Sequence, residues 1–156
     1  MRKTPLSAPE SGQRSPLDTW LDIKDLAALE ISSEDPLHPF EVALHGGNGE
    51  GWRAAAPGPQ TIRLKFDKPT VVRRIRLEFR EAKYERSQEF RLSTTSVRGD
   101  TREIARQQWN FSPSGSTVEV EDYAVFLPDV AVVELQIDPG RHDQSAIATL
   151  QSLSVA

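Results

Sequence analysis

The sequence predicts an all-β sandwich, and three observations carry that expectation. Beyond residue 60 the apolar positions recur with a period of two, the signature of strands with one face buried and one wet. Turn clusters such as Arg98-Gly99-Asp100, Ser112-Pro113-Ser114-Gly115 and Asp138-Pro139-Gly140 then divide the chain roughly every ten residues. The 156 residues suit one domain with its own core, and the absence of cysteine means that packing alone must hold it.

Residues 1 to 16 carry Pro5, Pro9 and Pro16 among Ser, Gly, Gln and charges, too polar a composition to offset the entropy of ordering. They are expected to form a flexible tail, leaving residues 17–156 as the single domain. From Leu17 to Leu29 the residues Leu17, Trp20, Leu21, Ile23 and Ala27 fall at three- and four-residue spacings and predict a short helix. A second, from His38 to Leu44, would start at Pro39 and stop at Gly46-Gly47. Ile62, Leu64 and Phe66 then alternate with Arg63 and Lys65, and Ile75, Leu77 and Phe79 with Arg74, Arg76, Glu78 and Arg80. Asp67-Lys68-Pro69 joins these two runs at hairpin length. Further strands are expected at 89–95, 103–111, 117–126, 130–137 and 147–155.

Composition narrows the function. A formal charge of −4 and a pI near 5.4 argue against a general nucleic-acid binder, whose affinity rests on neutralising phosphates. No stretch approaches the twenty apolar residues of a membrane span, and Arg2-Lys3 is not followed by an apolar run of secretory length. The expectation is a soluble, cytoplasmic protein without a membrane partner.

The succession ISSEDPLHPFEVALHGGNGEGWRA, then QTIRLKFDKPTVVRRIRLEF, resembles the opening of a discoidin domain, also called the coagulation-factor C-type domain. The resemblance runs from Leu29 to Val155. That family includes galactose-binding-like carbohydrate-binding modules, and the resemblance implies a jelly-roll sandwich of about eight antiparallel strands. In the family, aspartates and a threonine of the glycine-rich loop, with a glutamate of the last strand, hold a structural calcium ion. The matching positions here are His45, Gly46, Gly47 and Glu50, with Gln151 in or near the place of the glutamate. Calcium asks for six to eight hard oxygen ligands, and His45 and Gly47 supply no side-chain oxygen. The calcium site is therefore expected to be lost, with no cofactor in its place and the loop held by glycine conformations and the Asn48-Gly49 turn.

The resemblance also implies a sugar site at the neighbouring loops. The glutamate, the residue after the Trp and the arginine leaving the long strand fall at Glu34, Arg53 and Arg80. Arg53 replaces a histidine, and no aromatic stands in residues 54 to 56 to stack on a sugar ring. The long loop 81–86 adds Tyr84 and Arg86, since loops on rigid sandwiches supply binding residues.

Other features have structural readings. Trp52 reads as a core plug, and Trp109 and Phe111 as sharing an inward face. Between Ile62 and Asp100, eleven Arg and Lys face six Asp and Glu, which suits either an acidic partner or a solvated sheet face of cross-strand ion pairs. The three histidines make no metal spacing, and His45-Gly46-Gly47 has no nucleophile elbow to serve. The sequence therefore points to a non-catalytic module that recognises a carbohydrate or other polar ligand through Glu34, Arg53, Arg80, Tyr84 and Arg86. A protein–protein interaction module, as a subunit of a larger assembly, stays open beside it. The absent aromatic platform favours the protein partner; Glu34 and the arginines favour the polar ligand.

Overall fold

The alternation beyond residue 60 becomes strands, but two of them are far longer than the sequence suggested. The computed structural model describes residues 20–44 and 50–156. Within them lie helix α1 (Ile23–Leu26), strand β1 (Ala27–Ile31), a 3-10 turn at Phe40–Ala43, and strands β2 (Trp52–Arg53), β3 (Gln60–Arg80), β4 (Arg86–Ser96), β5 (Thr101–Phe111), β6 (Val118–Asp138), β7 (Thr149–Leu150) and β8 (Ser152–Val155). The tail expected over residues 1 to 16 lies outside the described residues.

Strands β3 and β6 run antiparallel along almost their whole length and build both layers. Their outer halves, Gln60–Lys65 and Val130–Ile137, join β1 and β4, with β5 beyond, in the order β1-β3-β6-β4-β5. The other halves, Val72–Arg80 and Val118–Leu127, take β8 on the β3 side. Phe79 of one layer stacks on Phe90 of the other at 5.3 Å between ring centres, so the core lies between the two. Ile62, Leu64, Ile75, Leu77, Leu92, Phe111, Leu135 and Ile137 fill it. A separate two-stranded ribbon, β2 with β7, lies at one end.

The expected hairpin at Asp67-Lys68-Pro69 does not form. These residues sit inside β3 where the register with β6 slips: Lys65 faces Val132, but Thr70 already faces Val130. Proline has no N–H for the ladder and is tolerated at such a bulge. The slip also resets the phase. Ile62, Leu64 and Phe66 are buried before it and Ile75, Leu77 and Phe79 after it, even positions giving way to odd ones, so the strand passes between layers and keeps its apolar face inward. The expected strands 117–126 and 130–137 are likewise one strand, β6.

The N-terminal helix is one turn, Ile23–Leu26, and the end of the expected helix, from Ala27 on, is strand; its first residues, 17–19, lie outside the described residues. Ala27 to Ile31 pair with Phe66 to Ile62 at the edge of β3, where a hydrogen-bond ladder outcompetes a short helical pattern. The second expected helix is the 3-10 turn, with Pro39 as its N-cap. Four of the eleven cations of the basic stretch pair across strands: Arg63 with Glu30 and Glu134, Lys65 with Glu30, Arg74 with Asp122, and Arg91 with Glu103. No helix among the described residues is long and apolar enough to cross a membrane.

Candidate functional site

The ends of β2 and β3 and two loops frame a cleft of about 490 Å³ at one end of the sandwich. Arg53 comes from β2 and Arg80 is the last residue of β3. Glu81 to Tyr84 form one wall, and Asp143 to Thr149, on the segment entering β7, form the other. A smaller cleft of about 160 Å³ adjoins it through Arg53, Arg80 and Thr149, and holds His38, Glu50, Trp52 and Gln151.

Glu81 organises the first wall. Its Oε1 accepts from Arg86 Nε at 2.9 Å, and its Oε2 from the backbone N–H of Lys83 at 3.0 Å and of Tyr84 at 3.3 Å. Burial alone would raise this carboxyl, but the Arg86 hydrogen bond, the two amides and the Arg86 charge together hold it below its ordinary value. The loop is thus fixed at its base while Tyr84 stays 66% exposed at the cleft.

Arg86 stands beneath this wall and not in the solvent. Its side chain is 2% exposed; Nη1 donates to Gln88 Oε1 and the Pro139 carbonyl, both at 2.8 Å, and the guanidinium lies 4.9 Å from the Phe111 ring centre. Arg86, expected from the sequence as a ligand contact, lines the cleft from a buried position and ties the loop before β4 to the turn after β6. Behind it, Glu119 points inward opposite Phe79, fully buried, and burial together with the neighbouring Glu121 raises its carboxyl to about 8.

Arg80 Nε donates to Glu78 at 2.6 Å, leaving its guanidinium exposed at the junction of the two clefts. Arg53 is anchored by its backbone, whose N–H donates to the His38 carbonyl at 3.2 Å and whose carbonyl accepts from Asp35 N–H at 2.9 Å. Asp143 Oδ1 accepts from both the N–H and the hydroxyl of Ser145, which hold that carboxyl low.

Four of the five residues expected at the site therefore meet in one cleft: Arg53, Arg80, Tyr84 and Arg86. Glu34 is the exception. It lines neither cleft, and its Oε1 accepts from Phe40 N–H at 2.6 Å at the start of the 3-10 turn. Sequence reasoning passed over Lys83, Asp143, Ser145 and Thr149. Lys83 was legible as a cation of the long loop, but the 143–149 wall needs the pairing of β7 with β2 and of β8 with β3 to bring it near.

Of the loop that resembles a calcium turn, His45 to Gly49 lie outside the described residues. Glu50 and Gln151 do come together in the smaller cleft. Gly51 holds φ +80°, with the position of an absent Cβ only 2.7 Å from the Leu150 carbonyl oxygen. Trp52 is a core plug, 1% exposed, with Nε1 donating to the Ser33 carbonyl at 3.2 Å.

Solved structures share this architecture. The chain has the galactose-binding-domain-like sandwich fold of discoidin domains. A family 32 carbohydrate-binding module of C. perfringens NanJ, in complex with galactose, superimposes with a TM-score of 0.61 at 16% identity over 88% of this chain and 97% of that one. A family 32 module from Clostridium perfringens, in complex with GalNAc-β-1,3-galactose, gives 0.62 at 16% identity, covering 88% and 99%. The module of AlyQ in complex with 4,5-unsaturated mannuronic acid gives 0.60 at 16%, covering 88% and 98%. No protein-family model matches the sequence, and no curated protein does.

Proposed function

We propose that this chain is a non-catalytic module that binds a saccharide in the cleft between the 81–84 and 143–149 walls. The observation that carries the reading is Tyr84: an exposed ring on a loop pinned at its base, lining the same cleft as Arg53, Lys83 and Asp143. It supplies, from a different loop, the aromatic surface missing from residues 54 to 56. A flat apolar ring flanked by a few polar groups suits a ligand with one apolar face and a rim of hydroxyls. The saccharide complexes of three modules with this fold support the same choice. No specific feature favours the protein-interaction alternative.

The chemistry of the cleft supports binding over catalysis. Glu81 and Asp143 are both held low, so neither serves as a proton donor near neutrality. Ser145 donates to Asp143, and no histidine is among the described residues lining that cleft to activate its hydroxyl. We further infer that the loop before Trp52 stands without calcium. Its described oxygen ligands are few for that ion, while Gly51 packs directly on the β7 backbone.

A glycan array probed with the full chain tests this reading. Binding to a defined set of glycans is expected, reduced about tenfold or more by Tyr84→Ala, equivalent to about 1.4 kcal/mol. Glu34→Gln should leave binding unchanged and lower thermal stability. Silence on every glycan would reject the proposal, and undiminished binding by Tyr84→Ala would reject the site.

A further inference from the structure

The geometry points to a carboxylate on the ligand: resting on the saccharide reading above, we propose that this cleft selects an acidic, uronate-type sugar unit through Arg53 and Lys83. Among the described residues four cations line the cleft, and two are engaged. Arg86 is bound to Glu81 at 2.9 Å and sealed from solvent, and Arg80 is bound to Glu78 at 2.6 Å. Arg53 and Lys83 have no acidic partner among the described residues, in a chain where most cations near them on the sheets are matched.

The two also stand on fixed backbone. Arg53 is held by both its N–H and its carbonyl, and Lys83 by its N–H on Glu81 Oε2. With the backbone already fixed, only the side chains remain to be ordered on binding. The anions facing them are Glu81, spent on Arg86 and two amides, and Asp143, whose Oδ1 is taken by Ser145; Glu50 and His38 line the adjoining cleft. A neutral hydroxyl would offer these cations ordinary hydrogen bonds. A carboxylate offers charge-assisted ones, bidentate at a planar guanidinium, and roughly twice as strong. Tyr84 takes the ring face, Asp143 accepts from a hydroxyl, and Arg53 and Lys83 take the carboxylate.

Calorimetric titration of the full chain tests this with trimers of galacturonate, mannuronate and glucuronate, each beside its methyl ester, plus neutral trimers and a sulfated trisaccharide. At least one uronate is expected to bind tenfold or more tighter than its own ester, with the ratio falling between 50 and 500 mM NaCl. Arg53→Gln with Lys83→Gln should bring the ratio near one without altering the melting temperature. Lys83→Gln alone, on an exposed loop, gives a partial loss should the double variant fold poorly. Esters or neutral sugars bound as tightly as uronates would overturn the charge selection and leave the saccharide reading standing. Selective capture of the sulfated sugar would overturn the carboxylate. Failure of every saccharide would overturn both readings together.

Discussion

Glu119 is the residue whose environment conflicts most with its chemistry. It lies buried between the layers opposite Phe79, beside Glu121 and near Arg86. Burial keeps it protonated to about pH 8, whereas the unfolded chain ionises it near 4.5. The folded state therefore binds an extra proton between those values, so its contribution is complete below about pH 4.5 and is lost as pH rises through 8. Glu81, held low, acts in the opposite sense and only at acid pH, so the two windows separate. Urea unfolding should show stability falling with pH in the upper window by up to about 1.4 kcal/mol per pH unit. Glu119→Gln should flatten that slope and exceed the parent in stability at pH 8; an unchanged slope would refute the assignment. Gly51 makes a second residue-level test. A Cβ there meets the Leu150 carbonyl and φ is +80°, so Gly51→Ala should cost roughly 2 kcal/mol. Calorimetric melting would show a fall of about 4–8 °C. The glycine was legible in the sequence, but its contact was not, because Leu150 lies a hundred residues on.

At the scale of elements, the loop 81–85 joins stability to binding. Glu81 receives the buried Arg86 guanidinium and two loop amides, so Glu81→Gln removes a charge from a pair that burial makes costly to break. Loss of roughly 3 kcal/mol in equilibrium unfolding is expected, with weakened saccharide binding as Tyr84 loses its anchor. A variant that melts like the parent and binds as well would show that the loop is held by other means. Strand identity was mostly legible, because Leu64, Leu77, Phe90 and Leu135 each sit in a two-residue alternation that burial imposes. The length of β3 was not. Asp67-Lys68-Pro69 has the composition of a turn, and whether such residues turn the chain or bulge from a continuing strand depends on β6, some sixty residues away. Ala27 to Ile31 misled for the same reason: their partner is the edge of β3, and local spacing carries no record of it.

At the scale of the molecule, β3 and β6 cross both layers, so the loops beside their ends converge. Arg53, the 81–84 loop and the 143–149 segment, remote in sequence, come to frame one cleft. Resemblance to discoidin domains found Arg53 and Arg80, and a charged loop with one tyrosine suggested Tyr84; all three line it. Glu34 and Arg86 find partners inside the protein, a helix N–H for the one and Glu81 and a phenyl ring for the other, and of the two only Arg86 lines the cleft. Electrostatic balance was legible only in outline: the basic stretch was visible, but ion pairing leaves Arg53 and Lys83 as the cations of the cleft with no acidic partner among the described residues. Removal of calcium by a chelator is expected to leave the melting temperature unchanged in calorimetry, and a fall of several degrees would restore the ion to the loop before Trp52. The central claim, that saccharide enters between these two walls, is tested most directly by amide chemical-shift mapping of the labelled chain during titration with a saccharide found on the array. The account predicts that shifts concentrate at Arg53, Lys83, Tyr84 and residues 143–149; shifts centred elsewhere, on the outer face of β5 for example, would contradict it.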